Sequence, residues 1–170
     1  NVEYAFVDNP PYIANKVEGV GDNPVGSYRR TFTLPAGWET GKRVYLHFDG
    51  LYSAAFVWLN GQYVGYTQGG NNDAEFDLTA YLRTGENNIC VQVFRWSDGS
   101  YREGQDMFHM SGLHRDVYLY ATPAVAVRDH YITAALAAPS YTSGTLSVAM
   151  TLDNRERRAG TNQVELALNS

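Results

Sequence analysis

The stretch from Arg95 to Gly112 holds the densest mixture of side chains that could recognise a ligand. It contributes three carboxylates and three aromatic rings: Asp98, Glu103, Asp106, Trp96, Tyr101 and Phe108. Sugar hydroxyls require paired donors and acceptors, and the C–H faces of a pyranose pack against aromatic rings. The stretch is long and lies between two predicted strands, and long ordered loops are usually functional. A structural role fits the same residues, with the rings plugging a β-sandwich and the carboxylates bonding backbone amides.

Catalysis or metal binding by this loop alone has less support. A retaining glycosidase needs two carboxyl groups about 5–5.5 Å apart, and the spacing of Asp98, Glu103 and Asp106 does not set that distance. Asp106 could offer a hard oxygen to Na⁺, Mg²⁺ or Ca²⁺, but one carboxylate is too few for a site of its own. The four histidines lack zinc-ligand spacing, so we predict hydrogen-bonded structural roles for them.

Short strands must position this loop. Period-two alternation begins at Tyr28 and recurs in segments of strand length, while the Pro- and Gly-rich residues 1–27 show no periodicity. Asn60-Gly61 lies between two such segments and predicts a hairpin, because both central turn residues need positive φ. Segments this short, with turns at this spacing, are typical of two packed antiparallel sheets. We therefore predict an all-β fold, with a jelly-roll-like β-sandwich over residues 1–123.

A second domain is predicted after Pro123. Alternation is clear from Thr145 to Leu152, and a third run begins at Val164. Three strands with one apolar face each cannot close a sandwich, so residues 124–170 are predicted to be the first part of another sandwich whose remaining strands lie downstream.

Composition excludes several classes of protein. The 170 residues carry a net charge of −5 without a basic cluster, so binding to the phosphates of nucleic acid has no electrostatic basis. No apolar run approaches the roughly 20 residues of a membrane-spanning helix. The single cysteine, Cys90, allows no intrachain disulfide. Composition does not decide the cellular compartment, and a cytoplasmic and a periplasmic location are both compatible with it.

Ordered motifs give the chain a specific resemblance. The loop motifs are Arg95-Trp96-Ser97-Asp98-Gly99-Ser100-Tyr101, Gln105-Asp106-Met107 and Met110-Ser111-Gly112-Leu113-His114-Arg115-Asp116-Val117. Motifs nearer the amino terminus are Asn23-Pro24-Val25-Gly26-Ser27-Tyr28, Phe48-Asp49-Gly50, Trp58-Leu59-Asn60-Gly61 and Glu75-Phe76-Asp77-Leu78. Together they resemble the β-galactosidases of glycoside hydrolase family 2, from about Asn9 to Pro123.

The resemblance implies an architecture and a set of roles. Family 2 chains begin with a jelly-roll sugar-binding domain, followed by an immunoglobulin-like sandwich and a (β/α)₈ barrel with both catalytic glutamates. The chain is then the non-catalytic amino-terminal part, inactive alone, with the galactoside and its own downstream domains as partners. Asn23 and Asp106 correspond to residues that bind the galactosyl unit, and Asp106 also to a ligand of a monovalent cation. Na⁺ and Mg²⁺, and a homo-oligomer, are expected for the full-length enzyme.

Three other interpretations stay open at this point. The chain could be a free-standing carbohydrate-binding module or lectin, in which the polar-aromatic loop is a complete site. It could be a structural or adhesive sandwich without a ligand, in which Asn23 only makes the turn before Pro24. Within family 2, β-glucuronidase and β-mannosidase are the nearest alternatives, and the Trp-Ser-Asp-Gly-Ser-Tyr run favours β-galactosidase.

Overall fold

The computed structural model describes residues 23–101, 110–155 and 159–168. The chain divides into two compact units, the first ending at Ala121 and the second beginning at Thr122. Each unit is built from strands, joined in the first unit by 3-10 turns at Thr79–Tyr81 and Asp98–Tyr101. Among the described residues, no helix has the length and apolarity needed to span a bilayer.

The first unit contains two principal sheets. Its strands are β1 (Val25–Thr33), β2 (Lys42–Phe48), β3 (Leu51–Tyr52), β4 (Ala54–Leu59), β5 (Gln62–Thr67), β6 (Ala74–Asp77), β7 (Glu86–Phe94), β8 (Gly112–Leu113) and most of β9 (Val117–Pro123), whose last two residues belong to the second unit. One sheet has the order β1-β7-β4-β5, the other has the order β6-β2-β9, and β3 pairs with β8. Most neighbouring strands are therefore distant in sequence, as crossover connections in a sandwich require.

The core lies between the facing sides of these sheets. Alternate residues of β4 are fully buried at Val57 and Leu59, and β2 contributes Leu46 and Phe48 from the opposite sheet. The remaining buried members of the cluster are Leu51, Ala55, Phe76, Leu78, Val91 and Val93. Complete burial of one such large apolar side chain contributes roughly 1.5–3 kcal/mol before the entropy of folding is counted. The predicted all-β sandwich is confirmed.

The Asn-Gly turn joins β4 to β5 as predicted. Asn60 has φ of 53° and Gly61 has φ of 80°, the left-handed values that an Asn-Gly hairpin turn uses. The Asn60 side chain also bonds across the unit, because its Nδ2 donates to Asn87 Oδ1 at 2.8 Å and its Oδ1 accepts from the Asn88 backbone at 2.9 Å. The turn therefore fixes β4 against the start of β7 as well as against β5.

The second unit contains one long hairpin. Strand β10 (Val125–Leu136) pairs antiparallel with β11 (Gly144–Asn154), with an irregularity between Val127 and Asp129. A third strand was expected from Val164 onward, and this expectation was wrong, because residues 159–168 contain no strand. Their alternating apolar residues are exposed, so no described neighbour provides a sheet edge or an apolar surface for them.

Candidate functional site

Asn23 connects the start of β1 to the chain that leaves β7. Its Oδ1 accepts a hydrogen bond from the Trp96 backbone N–H at 2.9 Å, and its Nδ2 donates to the Trp96 carbonyl at 2.8 Å. The pairing of β1 with β7 explains this position, since Val25 lies opposite Phe94 and Arg95 donates its N–H to the Pro24 carbonyl at 3.0 Å. The carboxamide of Asn23 thus extends the ladder by one position beyond the backbone pairs.

The first part of the polar-aromatic loop is held by its own hydrogen bonds. The Ser97 N–H donates to Ser100 Oγ at 3.0 Å, and the Ser100 N–H donates to the Ser97 carbonyl at 3.1 Å. Asp98 Oδ1 accepts from the Gly99 N–H at 2.9 Å. These bonds form the 3-10 turn Asp98–Tyr101, so the entry to the loop has a defined conformation.

A small cleft opens beside this turn. It has a volume of about 330 Å³ and is lined by Ala54, Phe56, Tyr66, Gln68, Phe94, Trp96, Ser97 and Asp98. Gln68 Nε2 donates to Asp98 Oδ1 at 2.6 Å, and Gln68 Oε1 accepts from the Tyr66 hydroxyl. Burial, together with the negative charge of Asp98, raises the pKa of Tyr66 above its ordinary value. The volume is at the lower end of the range for ligand pockets.

Aromatic rings form one wall of the cleft and continue across the outer face of the first sheet. The ring of Phe56 lies 4.7 Å from that of Tyr66 and 5.7 Å from that of Phe94, measured between centroids. The Arg95 guanidinium lies 5.1 Å from the centroid of a Trp96 ring, a cation–π distance. The described part of the loop therefore combines aromatic faces with amide and carboxylate groups, as the sequence indicated.

Asp106, the other predicted ligand-binding residue, lies outside the described residues, together with Glu103, Phe108 and His109. Its role in binding the galactosyl unit therefore stays a prediction, and so does its role as a ligand of a monovalent cation. Within the described ranges, no three histidine, cysteine or acidic side chains lie together in a way that could hold a metal ion.

Sequence reasoning did not identify the polar surroundings of His47. Its Nε2 lies 3.3 Å from Asp49 Oδ1, its Nδ1 lies 3.8 Å from Glu75 Oε2, and its ring stacks on Tyr118 at 5.0 Å. The two carboxylates contact opposite nitrogens of the ring, so they cannot share one metal ion with it. Alternation in β2 placed His47 opposite the core, and Asp49 is a local partner two residues further on. Glu75 and Tyr118 come from β6 and β9, which no local pattern connects to β2.

A larger cavity lies in the interior of the sandwich. It has a volume of about 840 Å³ and lies between β1 and β7 on one side and β2 and β9 on the other. Its lining includes the inward side chains of Phe32, Leu46, Phe48, Ile89 and Val91. Although Ser27, Arg30 and Thr31 also line it, most of its lining surface is apolar. The cleft beside Trp96 is therefore the better candidate for recognition of a hydroxylated ligand.

The fold and the loop define an all-β sandwich whose described part carries sugar-compatible chemistry beside Asn23 and Trp96. A family model described as "Glycosyl hydrolases family 2, sugar binding domain" matches residues 1–123. The chain belongs to this family, which confirms the resemblance seen in its motifs.

The curated relatives agree on a name. The chain is 46% identical to a "Beta-galactosidase" of Priestia megaterium over 91% of its length, and 43% identical to a "Beta-galactosidase" of Psychromonas ingrahamii over 98%. It spans only 15% of the length of each relative. These relatives are glycoside hydrolases, and most of each lies outside the aligned region.

Solved structures agree on the fold and include a different specificity. A β-glucuronidase from Bacteroides uniformis superposes with a TM-score of 0.67 and 27% identity, covering 78% of this chain and 16% of that one. A glycosyl hydrolase family 2 member from Bacteroides cellulosilyticus has a TM-score of 0.65 and 29% identity, covering 80% and 18%. The sandwich is therefore shared by family 2 enzymes with different substrates.

Proposed function

We propose that this chain is the sugar-binding sandwich of a retaining β-galactosidase that hydrolyses terminal β-D-galactosides. The observation that carries the proposal is the 46% identity to a β-galactosidase over 91% of the chain. The structural neighbours include β-glucuronidases at lower identity, so the sequence relatives favour galactoside over glucuronide.

In this proposal, Asn23 and Asp106 orient the galactosyl unit. Asn23 is held at the loop entry by two hydrogen bonds to Trp96, so a group in its position is fixed before a ligand arrives. Fixed groups that bind a sugar away from the reacting bond hold the reacting centre near its attack geometry. Where such bonds strengthen in the transition state, they raise turnover as well as affinity.

The catalytic acid and the nucleophile are assigned to a (β/α)₈ barrel outside these 170 residues. The short span of the chain along its relatives leaves room for such a domain. Residues 124–170 then form the opening strands of the intervening immunoglobulin-like sandwich. A monovalent cation at Asp106 would supply positive charge near the substrate, and Mg²⁺ is proposed for the full-length enzyme outside the described residues.

Hydrolysis assays test the assignment directly. The 170-residue chain and the full-length protein encoded by the same gene are assayed with chromogenic β-galactoside and β-glucuronide substrates. We expect turnover of the galactoside by the full-length protein alone. Turnover by the purified short chain would place a catalytic pair inside it, and preferential cleavage of the glucuronide would replace the substrate assignment.

A free-standing carbohydrate-binding module is the second candidate. The cleft beside Trp96 favours it, because its aromatic rings and its Gln68 and Asp98 side chains all belong to this chain. Calorimetric titration of the chain with galactose and lactose separates the two functions. Sub-millimolar affinity would favour the module, whereas part of a shared pocket should bind weakly or not at all.

A further inference from the structure

The hydrogen bonds of Asn23 use its carboxamide in a particular way. A carboxamide has two N–H donors and an oxygen with two lone pairs. Trp96 takes one donor and one lone pair, both through the backbone groups of a single residue. This arrangement fixes which end of the amide is oxygen, and it leaves one N–H and one lone pair outside the contact.

The sequence explains why a side chain takes this position. Pro24 has no backbone N–H, so it cannot donate to the ladder between β1 and β7. Its carbonyl accepts from Arg95, and the next residue, Trp96, which lies beyond the end of β7, meets the Asn23 carboxamide. The side chain therefore bonds both backbone groups of Trp96 where the main chain ceases to pair.

We propose that Asn23 is a positioning residue that fixes the entry to the loop from Arg95 to Gly112. Trp96 immediately precedes the bonded turn in which Ser97 and Ser100 hold each other. Release of its peptide groups frees the start of that turn. The importance of this positioning for sugar binding rests on the proposed function, because Asp106 belongs to the same stretch of sequence.

The carboxylic acid of an Asn23→Asp variant provides a reversible test. Its carboxylate form keeps an acceptor for the Trp96 N–H but faces the Trp96 carbonyl with an oxygen that cannot donate. Its protonated form has one donor and one acceptor, like the amide, and an unperturbed aspartic acid becomes protonated below about pH 4. The contact should therefore be lost at neutral pH and regained in acid.

Amide hydrogen exchange of the 170-residue chain, followed by NMR, measures the effect as protection factors. At neutral pH, Asn23→Asp should lower the protection of Trp96 roughly tenfold or more, with losses at Ser97 and Ser100. Acid should restore the protection in Asn23→Asp but not in Asn23→Ala. The matched control is Asn72→Asp, which introduces the same charge at an exposed turn and should leave Trp96 unchanged.

Three results would overturn the inference. One is unchanged protection of Trp96 in both Asn23 variants at neutral pH. Another is an equal loss at Trp96 and at Val91 and Val93 in β7, which would show general destabilisation without a local role. The third is a loss that acid does not reverse in Asn23→Asp, which would contradict the two-bond geometry.

The unmodified chain gives an independent test if a variant does not fold. The two side-chain amide protons of Asn23 should exchange at different rates, because only one of them bonds the Trp96 carbonyl. Equal, fast exchange of both protons would refute the contact. None of these measurements requires a galactoside, so the inference and the enzymatic assignment can fail separately.

Discussion

The sandwich of the first unit and the hairpin of the second unit both have alternating apolar residues, but these residues are buried in the sandwich and exposed in the hairpin. In β4 and β7, alternate apolar residues such as Val57 and Val93 are almost completely buried. In β10 and β11, Ile132 and Leu146 alternate just as regularly, yet 55% and 49% of their surfaces are exposed. Alternation therefore defines a face of a sheet, but burial requires a second layer against that face.

The hairpin nevertheless keeps its apolar face aligned. Ile132 lies opposite Val148, and Val127 lies opposite Leu152, with the register shift between Val127 and Asp129 separating the two pairs. Leu152 and Val148 are four residues apart in β11, whereas their partners are five apart in β10. The extra residue of a bulge restores the alternation, so the ribbon has the form of a strand pair built to pack against another surface.

Truncation of one leucine in each unit should give the largest difference in the free energy of unfolding. Leu59 is fully buried, and Leu146 is half exposed. Leu59→Ala should lower the free energy of unfolding by about 2–5 kcal/mol, because it removes buried methyl groups and leaves a cavity. Leu146→Ala should lower it by less than about 1 kcal/mol. Urea unfolding followed by circular dichroism measures both.

Equal losses in the two leucine variants would contradict this comparison. They would mean that the apolar face of the hairpin is covered in solution, for instance by self-association of the chain. Light scattering on the same samples separates that case, since it would detect dimers that the Leu146→Ala variant weakens.

Removal of a polar side chain should also lower the free energy of unfolding more in the first unit than in the second. The difference should be slightly smaller than for the leucines. Asn87 is completely buried. Its Oδ1 accepts from Asn60 and from the Arg83 N–H, and its Nδ2 donates to the carbonyls of Arg83 and Gly85. Asn87→Ala leaves these groups without partners and should cost about 3 kcal/mol. Asn162→Ala, at an exposed position of the second unit, should change stability by less than about 0.5 kcal/mol. A small effect of Asn87→Ala in urea unfolding would show that water replaces the side chain.

Local patterns predicted much of the fold. Alternation identified most strands, and Asn60-Gly61 identified the hairpin, because these signals depend on neighbours in the chain. The sheet order β1-β7-β4-β5 was not predicted, since it depends on contacts between distant segments. The third strand expected at Val164 failed for the same reason, because alternation does not supply a pairing partner.

The candidate site shows the same division between local and distant information. Motif resemblance selected Asn23, but the sequence did not reveal its partner, which lies 73 residues away and bonds through its backbone. A backbone partner leaves no side-chain pattern for sequence reasoning to find. The Gln68–Asp98 bond is likewise a long-range contact between two polar residues that are unremarkable in the sequence.

Two glycines allow the backbone contribution to be compared without a packing change. Gly61 has φ of 80° in the β4–β5 turn, and a Cβ added there would meet no atom within 4 Å. A Cβ added at Gly160 would also meet no atom within 4 Å, but Gly160 does not have a left-handed φ. Gly61→Ala should therefore cost about 1–2 kcal/mol through backbone strain alone. Gly160→Ala should be neutral or slightly stabilising. Thermal unfolding of the two variants measures the difference, and a neutral Gly61→Ala would show that the turn can change its type.

The smallest expected effect concerns pH and is confined to the first unit. Burial alone would raise the pKa of Asp77, but hydrogen bonds from Thr79 and Arg43 outweigh it and hold the pKa below its ordinary value of 3.8. A carboxyl with a lower pKa in the folded state stabilises the fold above its unfolded pKa, and this contribution is lost as pH falls through the folded pKa. Since the side chain of Asp77 is still in contact with solvent, which screens its charge, the contribution should be below about 1 kcal/mol. Asp77→Asn should therefore flatten the acid side of the stability curve in urea unfolding. An unchanged slope between about pH 5 and pH 2 would show that the Thr79 and Arg43 contacts do not stabilise the Asp77 carboxylate.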